Sequence, residues 1–265
     1  MLGNDIVDLR DPDSQPESFR PRFDERVFGA EERIAIERDR VPLARRWAHW
    51  AAKEAAYKLA KQVDPGVVFA PGRCIVRFEA DSHTFGRCRE RLGVAEFLEG
   101  SNSAPRRAPT AVRIRSLETE DFVHSIAVPI DRDFEAVESK TEMLELESQD
   151  ASDAVRSLAA DEIARSLGVA RSRISIGRRP VLDPRDRSAF RSNSRSDLRV
   201  RRSLRGEKSR IPCVELDGQR TTLALSLSHH GRFIAYAMAP QWEAFSLPTS
   251  LSNEPRLSPF GNAIL

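Results

Sequence analysis

Cysteine is scarce in this 265-residue chain: Cys74, Cys88 and Cys213 are widely spaced and odd in number. That pattern builds neither a disulfide framework nor a zinc motif, and it points to a reducing compartment. No apolar run approaches the length of a membrane span. The opening residues, MLGNDIVDLR, put Asp5 and Asp8 where a signal peptide requires an apolar core. The expectation is a soluble, cytoplasmic protein with no membrane association. Neither sign of charge is in clear excess, since 42 Lys and Arg face 40 Asp and Glu. The distribution is nonetheless uneven. Residues 185–210 hold ten basic side chains against Asp186, Asp197 and Glu207, whereas 134–150 carry an acidic excess. Phe190 is the lone aromatic of the basic stretch. An arm that grips nucleic acid would interleave aromatics with its charges, so this one reads as a solvated loop or a dock for an acidic partner.

An apolar content of 40% can build a sizeable core, and it falls into two patterned regions. The first covers 1–131. It opens on the short apolar stretch Ile6–Leu9, and a helix is predicted near Gly29, where AEER puts acidic side chains in the first turn. A stronger helix is predicted over 42–62, LARRWAHWAAKEAAYKLAKQ, rich in Ala, Leu, Lys and Arg and free of Gly and Pro after its start. Strand-like runs follow at 67–69, 74–78, 111–115 and 122–128, while 82–110 has no clear pattern. Residues 132–150 read as a charged linker.

The second region covers 151–240. It begins with a helix, ASDAVRSLAADEIARSLG, with Ser152 as N-cap, Gly168 as stop and an apolar stripe of Val155, Leu158, Ile163 and Leu167. A turn at 177–180, the basic loop at 185–210 and a hairpin come next. In the hairpin Leu223, Leu225 and Leu227 alternate, and 229–232 form the turn. The Ser/Pro-rich tail, 241–265, lacks the apolar pattern of a packed element. Helices mixed with hairpin-like strands argue an α+β fold.

Several residues could carry chemistry. Trp47, Trp50, Glu54, Lys58 and Lys61 recur at spacings of three or four and so share a helix face. That face, flanked by Lys53, could set a carboxylate on a metal and ammonium groups on phosphates, or be an ordinary Glu–Lys surface. Asp5 at the head of the chain suits a Mg2+ ligand or a strand-end turn. Asp8, an odd number of residues away, would face the opposite side of an extended strand. The SLSHHGRF turn offers Ser228 and His229, and Arg178-Arg179-Pro180 offers guanidiniums; each fits a phosphate site or a plain surface turn.

Together these motifs resemble the 4'-phosphopantetheinyl transferase superfamily. Asp5-Ile6, then Arg26 through Glu32, then Trp50-Ala51-Ala52-Lys53-Glu54-Ala55-Ala56-Tyr57-Lys58 resemble its metal-binding half. Arg156-Ser157-Leu158, Asp161, Arg165, Arg179-Pro180 and Ser228-His229-His230-Gly231 resemble the other half of the long, surfactin-synthetase-activating type. The halves stand in swapped order. The resemblance implies two similar α/β subdomains packed as a pseudo-dimer, and so a monomer. It implies Asp5 and Glu54 as Mg2+ ligands, water standing for a third carboxylate, and Glu54 and Lys58 as catalytic residues. Lys53, Lys58, Arg156, Arg179, Ser228 and His229 would bind coenzyme A. The implied partner is an acidic acyl or peptidyl carrier protein, of fatty-acid, polyketide or peptide synthesis alike. A catalytically inactive relative that only binds a carrier or an assembly partner is the alternative, and the asymmetry of the metal strand and Arg179 in place of the family's lysine are the features that favour it.

Overall fold

The computed structural model describes residues 1–64, 67–98, 109–144, 150–178 and 211–240. The chain begins with strand β1, Gly3–Asp8, and then forms helices α1, Phe23–Val27, α2, Ala30–Glu37, and α3, Pro42–Val63. Proline at the first turn of α3 costs nothing, because its missing N–H would have no partner there. Ala44, Ala48, Ala51, Ala52, Ala55, Ala56 and Ala60 form the buried side of this helix. Their small side chains let backbone meet backbone: a Cβ on Gly3 would fall 2.0 Å from the Ala55 carbonyl oxygen. The close approach sets β1 directly against α3.

Four antiparallel strands complete this half: β2, Cys74–Phe85, β3, Cys88–Phe97, β4, Ala111–Glu118, and β5, Phe122–Pro129. Their order in the sheet is β1-β5-β4-β3-β2. The core between sheet and helix joins Ala52, Ala55, Ala56 and Leu59 to Val76, Ala95, Val112 and Ile114.

The segment expected to be a linker contains strand β6, Glu138–Met143. It pairs with the far end of the chain, with Thr141 opposite Ala235, and so the second half starts there and not at 151. Helix α4, Ala151–Leu167, follows, then β7, Ile174–Arg178, β8, Pro212–Leu216, the short β9, Gln219–Arg220, β10, Leu223–His230, and β11, Phe233–Pro240. The two sheets run β10-β11-β6 and β7-β8-β9, and Thr221 donates its N–H to Val214 to bring β10 beside β8. Strand, helix and then antiparallel strands thus repeat from the first half, and β6-β11-β10 mirrors β1-β5-β4. The fold is α+β, with Ile163, Val214, Leu225 and Tyr236 at the centre of the second core.

The two halves share apolar interfaces. Leu2, Ile126 and Val128 pack with Val137, Ala224, Ala237 and Ala239, and Ile6 packs with Phe233 and Ala235.

Other expectations shift. Asp150 caps α4 in place of Ser152, accepting from the Ser152 and Asp153 N–H groups. Gly168 ends the helix as expected, in the left-handed region at φ 64°. Residues 67–69 are not a strand; Phe69 packs its ring 5.7 Å from Trp50 and 5.0 Å from Tyr57. Gly177 and Arg178 lie in β7, not in a turn. His229 and His230 lie in β10, leaving Gly231 and Arg232 as the hairpin turn. Gly231 has φ 52°, and a Cβ there would fall 2.6 Å from the Asp8 carboxylate. Arg179, the 185–210 stretch and the 241–265 tail lie outside the described residues. Among the described residues, no helix is long and apolar enough to cross a membrane.

Candidate functional site

Strand β1 is an edge strand with two different faces. Asp5 and Val7 point toward α3, and Asn4, Ile6 and Asp8 point toward β10 and β11. On the α3 side, Lys58 donates to Asp5 Oδ1 at 2.8 Å and to the Asn4 carbonyl at 2.9 Å. An ammonium has three protons, so one remains for a phosphate oxygen. Glu54 lies one turn back along the same face. Its pKa is pushed up to about 7, first by burial and then by the neighbouring Asp5 charge, with Lys58 opposing. Two carboxylates therefore share a half-buried site with one ammonium. Trp50, Glu54, Tyr57, Lys58 and Lys61 form the partly open stripe of α3, close to the spacing read from the sequence. Trp47 is more deeply buried and ties its indole N–H to the Ser14 carbonyl at 2.9 Å.

The second half reaches the site through β10. Ser226 Oγ accepts from the Asn4 N–H at 2.9 Å, Ser228 Oγ from the Ile6 N–H at 3.1 Å and His230 Nδ1 from the Asp8 N–H at 3.2 Å. Alternate side chains of one strand thus satisfy the free edge of another, where a paired backbone would otherwise sit. Ser228 Oγ in turn donates to Asp5 Oδ1 at 3.0 Å. His229 is exposed, and its pKa is lowered by partial desolvation first and by the Lys58 charge second. Under the interface lies buried His124, whose Nε2 is 3.2 Å from the Asn4 amide nitrogen. Burial, then Arg115 and Lys58, lower its pKa to about 3, so this imidazole is neutral.

The structure therefore brings Asp5, Glu54, Lys58 and Ser228 together, with His229 beside them. It removes Lys53. That ammonium is fully buried, donating to Glu32 at 2.8 Å, to the Pro71 carbonyl at 3.0 Å and to the Cys74 carbonyl. Glu32 also accepts from the Gly29 N–H at 2.7 Å and the Val76 N–H at 2.8 Å. Burial would raise its pKa, but His49, 3.5 Å away, and the Lys53 charge and hydrogen bond hold it below the ordinary carboxylate value. Glu32 of the Arg26-to-Glu32 motif and Lys53 are thus one internal tie among α2, α3 and β2. Arg156 is also engaged elsewhere, donating to the Ser152 carbonyl at 2.8 Å and to Asp153 at 2.9 Å. Asp8 lies on the opposite face of β1 from Asp5, where Arg232 grips it with its backbone and guanidinium N–H groups. Burial opposes its ionisation, but the Arg232 hydrogen bonds prevail and its pKa falls.

The sequence reading assigns no role to Ser226 or to His230 of the Ser228-to-Gly231 motif, although the signal is there. The Leu223, Leu225, Leu227 alternation leaves 226, 228 and 230 on the other face of the same strand.

A divalent cation fits the pair. Mg2+ takes one or two protein carboxylates and fills its remaining positions with water and substrate phosphates. Among the described residues, no group of three or more acidic, His or Cys side chains could hold a metal; a cation here would have Asp5 and Glu54 as its two carboxylates, with water and substrate filling the rest.

The chain is thus α+β, with two carboxylates and one ammonium set where its two halves meet. Residues 1–112 match the family model described as the 4'-phosphopantetheinyl transferase superfamily. That match bears out the resemblance in the first half, from β1 through α3 to the start of β4. Ser228 and His229 lie beyond it. No curated protein was found to match the chain.

Proposed function

We propose that this protein moves 4'-phosphopantetheine from coenzyme A to a serine of an apo carrier protein, in a Mg2+-dependent reaction that releases 3',5'-ADP. The observation that carries the reading is the meeting of Asp5, Glu54 and Lys58 in one half-buried site closed by Ser228 of the other half. Mg2+ held by Asp5 and Glu54 would neutralise the diphosphate of coenzyme A. Lys58 would donate its remaining N–H as a hydrogen bond to the same diphosphate, and His229 would face the 3'-phosphate side. The carrier serine oxygen forms a bond to the β-phosphorus, and the bond from that phosphorus to the bridging oxygen of 3',5'-ADP breaks. Glu54 would accept the serine proton, directly or through a water. Alignment and charge neutralisation supply most of the acceleration in such a transfer.

The test is release of 3',5'-ADP from coenzyme A, followed chromatographically with and without apo carrier. Release should require both carrier and Mg2+, and Asp5→Asn should abolish it. Coenzyme A binding with no release from any carrier would favour the inactive, carrier-binding alternative.

A further inference from the structure

The resemblance places the Ser228 hydroxyl on coenzyme A, but its hydrogen bonds lead elsewhere. A serine hydroxyl has one hydrogen and accepts through its lone pairs. Ser228 Oγ already accepts from the Ile6 N–H at 3.1 Å, and its single hydrogen is directed to Asp5 Oδ1 at 3.0 Å. The side chain is only 5% exposed. Lys58 binds the same oxygen, Oδ1, at 2.8 Å. Among the described residues, both hydrogen bonds to the Asp5 side chain fall on Oδ1, leaving Oδ2 unengaged. The Asp5 side chain retains 13% exposure, so it is reached from solvent.

We propose that Ser228 is a positioning residue for the cation: with Lys58 it holds Oδ1 of Asp5, so that the carboxylate offers Oδ2 alone to Mg2+. The inference rests on the Mg2+-dependent reading above and adds to it. Ser228 belongs to the second half and Asp5 to the first, so the metal ligand is set only when the halves are docked. The Ile6 N–H fixes the hydroxyl's own orientation, because it occupies the acceptor side and turns the hydrogen to Asp5. Partners that orient a metal ligand commonly change metal affinity by about 10–100-fold when removed.

Ser226 provides the control. It lies two residues earlier on β10, is 3% exposed and caps the Asn4 N–H at 2.9 Å. Its hydroxyl meets no carboxylate among the described residues. Ser226→Ala and Ser228→Ala each orphan one β1 N–H, and so each should lower the melting temperature in EDTA to a similar degree. Only Ser228→Ala should change the metal. The readout is calorimetric titration of MgCl2 into protein saturated with coenzyme A, with no carrier present. Ser228→Ala should weaken the Mg2+ response by about tenfold, Ser226→Ala should leave it native, and both should keep the native preference for coenzyme A over 3'-dephospho-coenzyme A. Ser228→Cys keeps the side-chain volume with a weaker donor and is read in the same way should the alanine variant fail to fold. An unchanged Mg2+ response in the Ser228 variant, or a lost 3'-phosphate preference with native Mg2+ affinity, overturns the inference alone. A native protein with no Mg2+ response overturns the proposed function and this inference with it.

Discussion

Glu54→Gln in metal-free buffer exposes the electrostatic strain of the candidate site. The substitution keeps the shape of the side chain and removes its ability to ionise. In the folded protein, burial and Asp5 raise the Glu54 pKa from 4.5 to about 7. A raised carboxyl pKa means the fold prefers the protonated form, so its contribution is fully present below 4.5 and is lost as pH rises through 7. At 1.36 kcal/mol for each tenfold change in acidity, that displacement has a ceiling of about 3 kcal/mol. Partial exposure reduces the realised value to about 1–2 kcal/mol. For a chain of this size each 1 kcal/mol moves the melting temperature by about 2–4 °C. In EDTA the variant should therefore melt about 2–8 °C above the native protein at pH 8 and level with it at pH 5. Adding MgCl2 and coenzyme A at pH 8 should reverse the order, because only the native protein gains a ligand that outcompetes the proton. Scanning fluorimetry across pH 5–8 reads both effects. A variant no more stable than native at pH 8 in EDTA would refute the reasoning that Glu54 is held near Asp5 against its charge.

Three further outcomes are expected. Lys53→Met should destabilise the protein by about 3–5 kcal/mol in chemical denaturation, since it leaves Glu32 as an unpaired buried charge. Native stability with a raised KM for coenzyme A would instead return Lys53 to the ligand site. His229→Ala should lose the preference for coenzyme A over its 3'-dephospho analogue, and equal discrimination in both proteins would remove His229 from the site. A rearranged gene encoding 132–240, a short linker and then 1–131 should yield a folded, active protein, because Leu2 and Ala239 share one apolar cluster and bring the required ends together. An insoluble product, or a folded one without transfer activity, would count against interchangeable halves.

The first half was largely legible because its signals are local. Helix α3 announces itself through alanine content and the absence of breakers, and β4 and β5 through apolar runs. The opposite orientation of Asp5 and Asp8 follows from strand geometry alone. Strand β6 was not legible: ESKTEM has no apolar alternation, and its extended form comes from pairing with β11, about ninety residues away. Strand β3 was hidden by its charges. Arg91 is buried there because Glu118 and Asp39 neutralise it, which no local pattern reveals. Lys53 looked equivalent to Lys58 within the motif, yet five residues on a helix place them about 140° apart. Helical geometry turns one into the core and the other into the cleft. The expectation for Ser228 found the right neighbourhood but not the right partner, because hydrogen-bond direction depends on β1 lying alongside.

The most direct measurement is intact-mass spectrometry of apo carrier proteins incubated with this protein, coenzyme A and Mg2+. The expected result is a carrier gaining one 4'-phosphopantetheine group on its serine, with no gain in EDTA or with Asp5→Asn. A carrier panel spanning fatty-acid, polyketide and peptide synthesis that stays at its apo mass, beside a known transferase that converts it, would contradict the account.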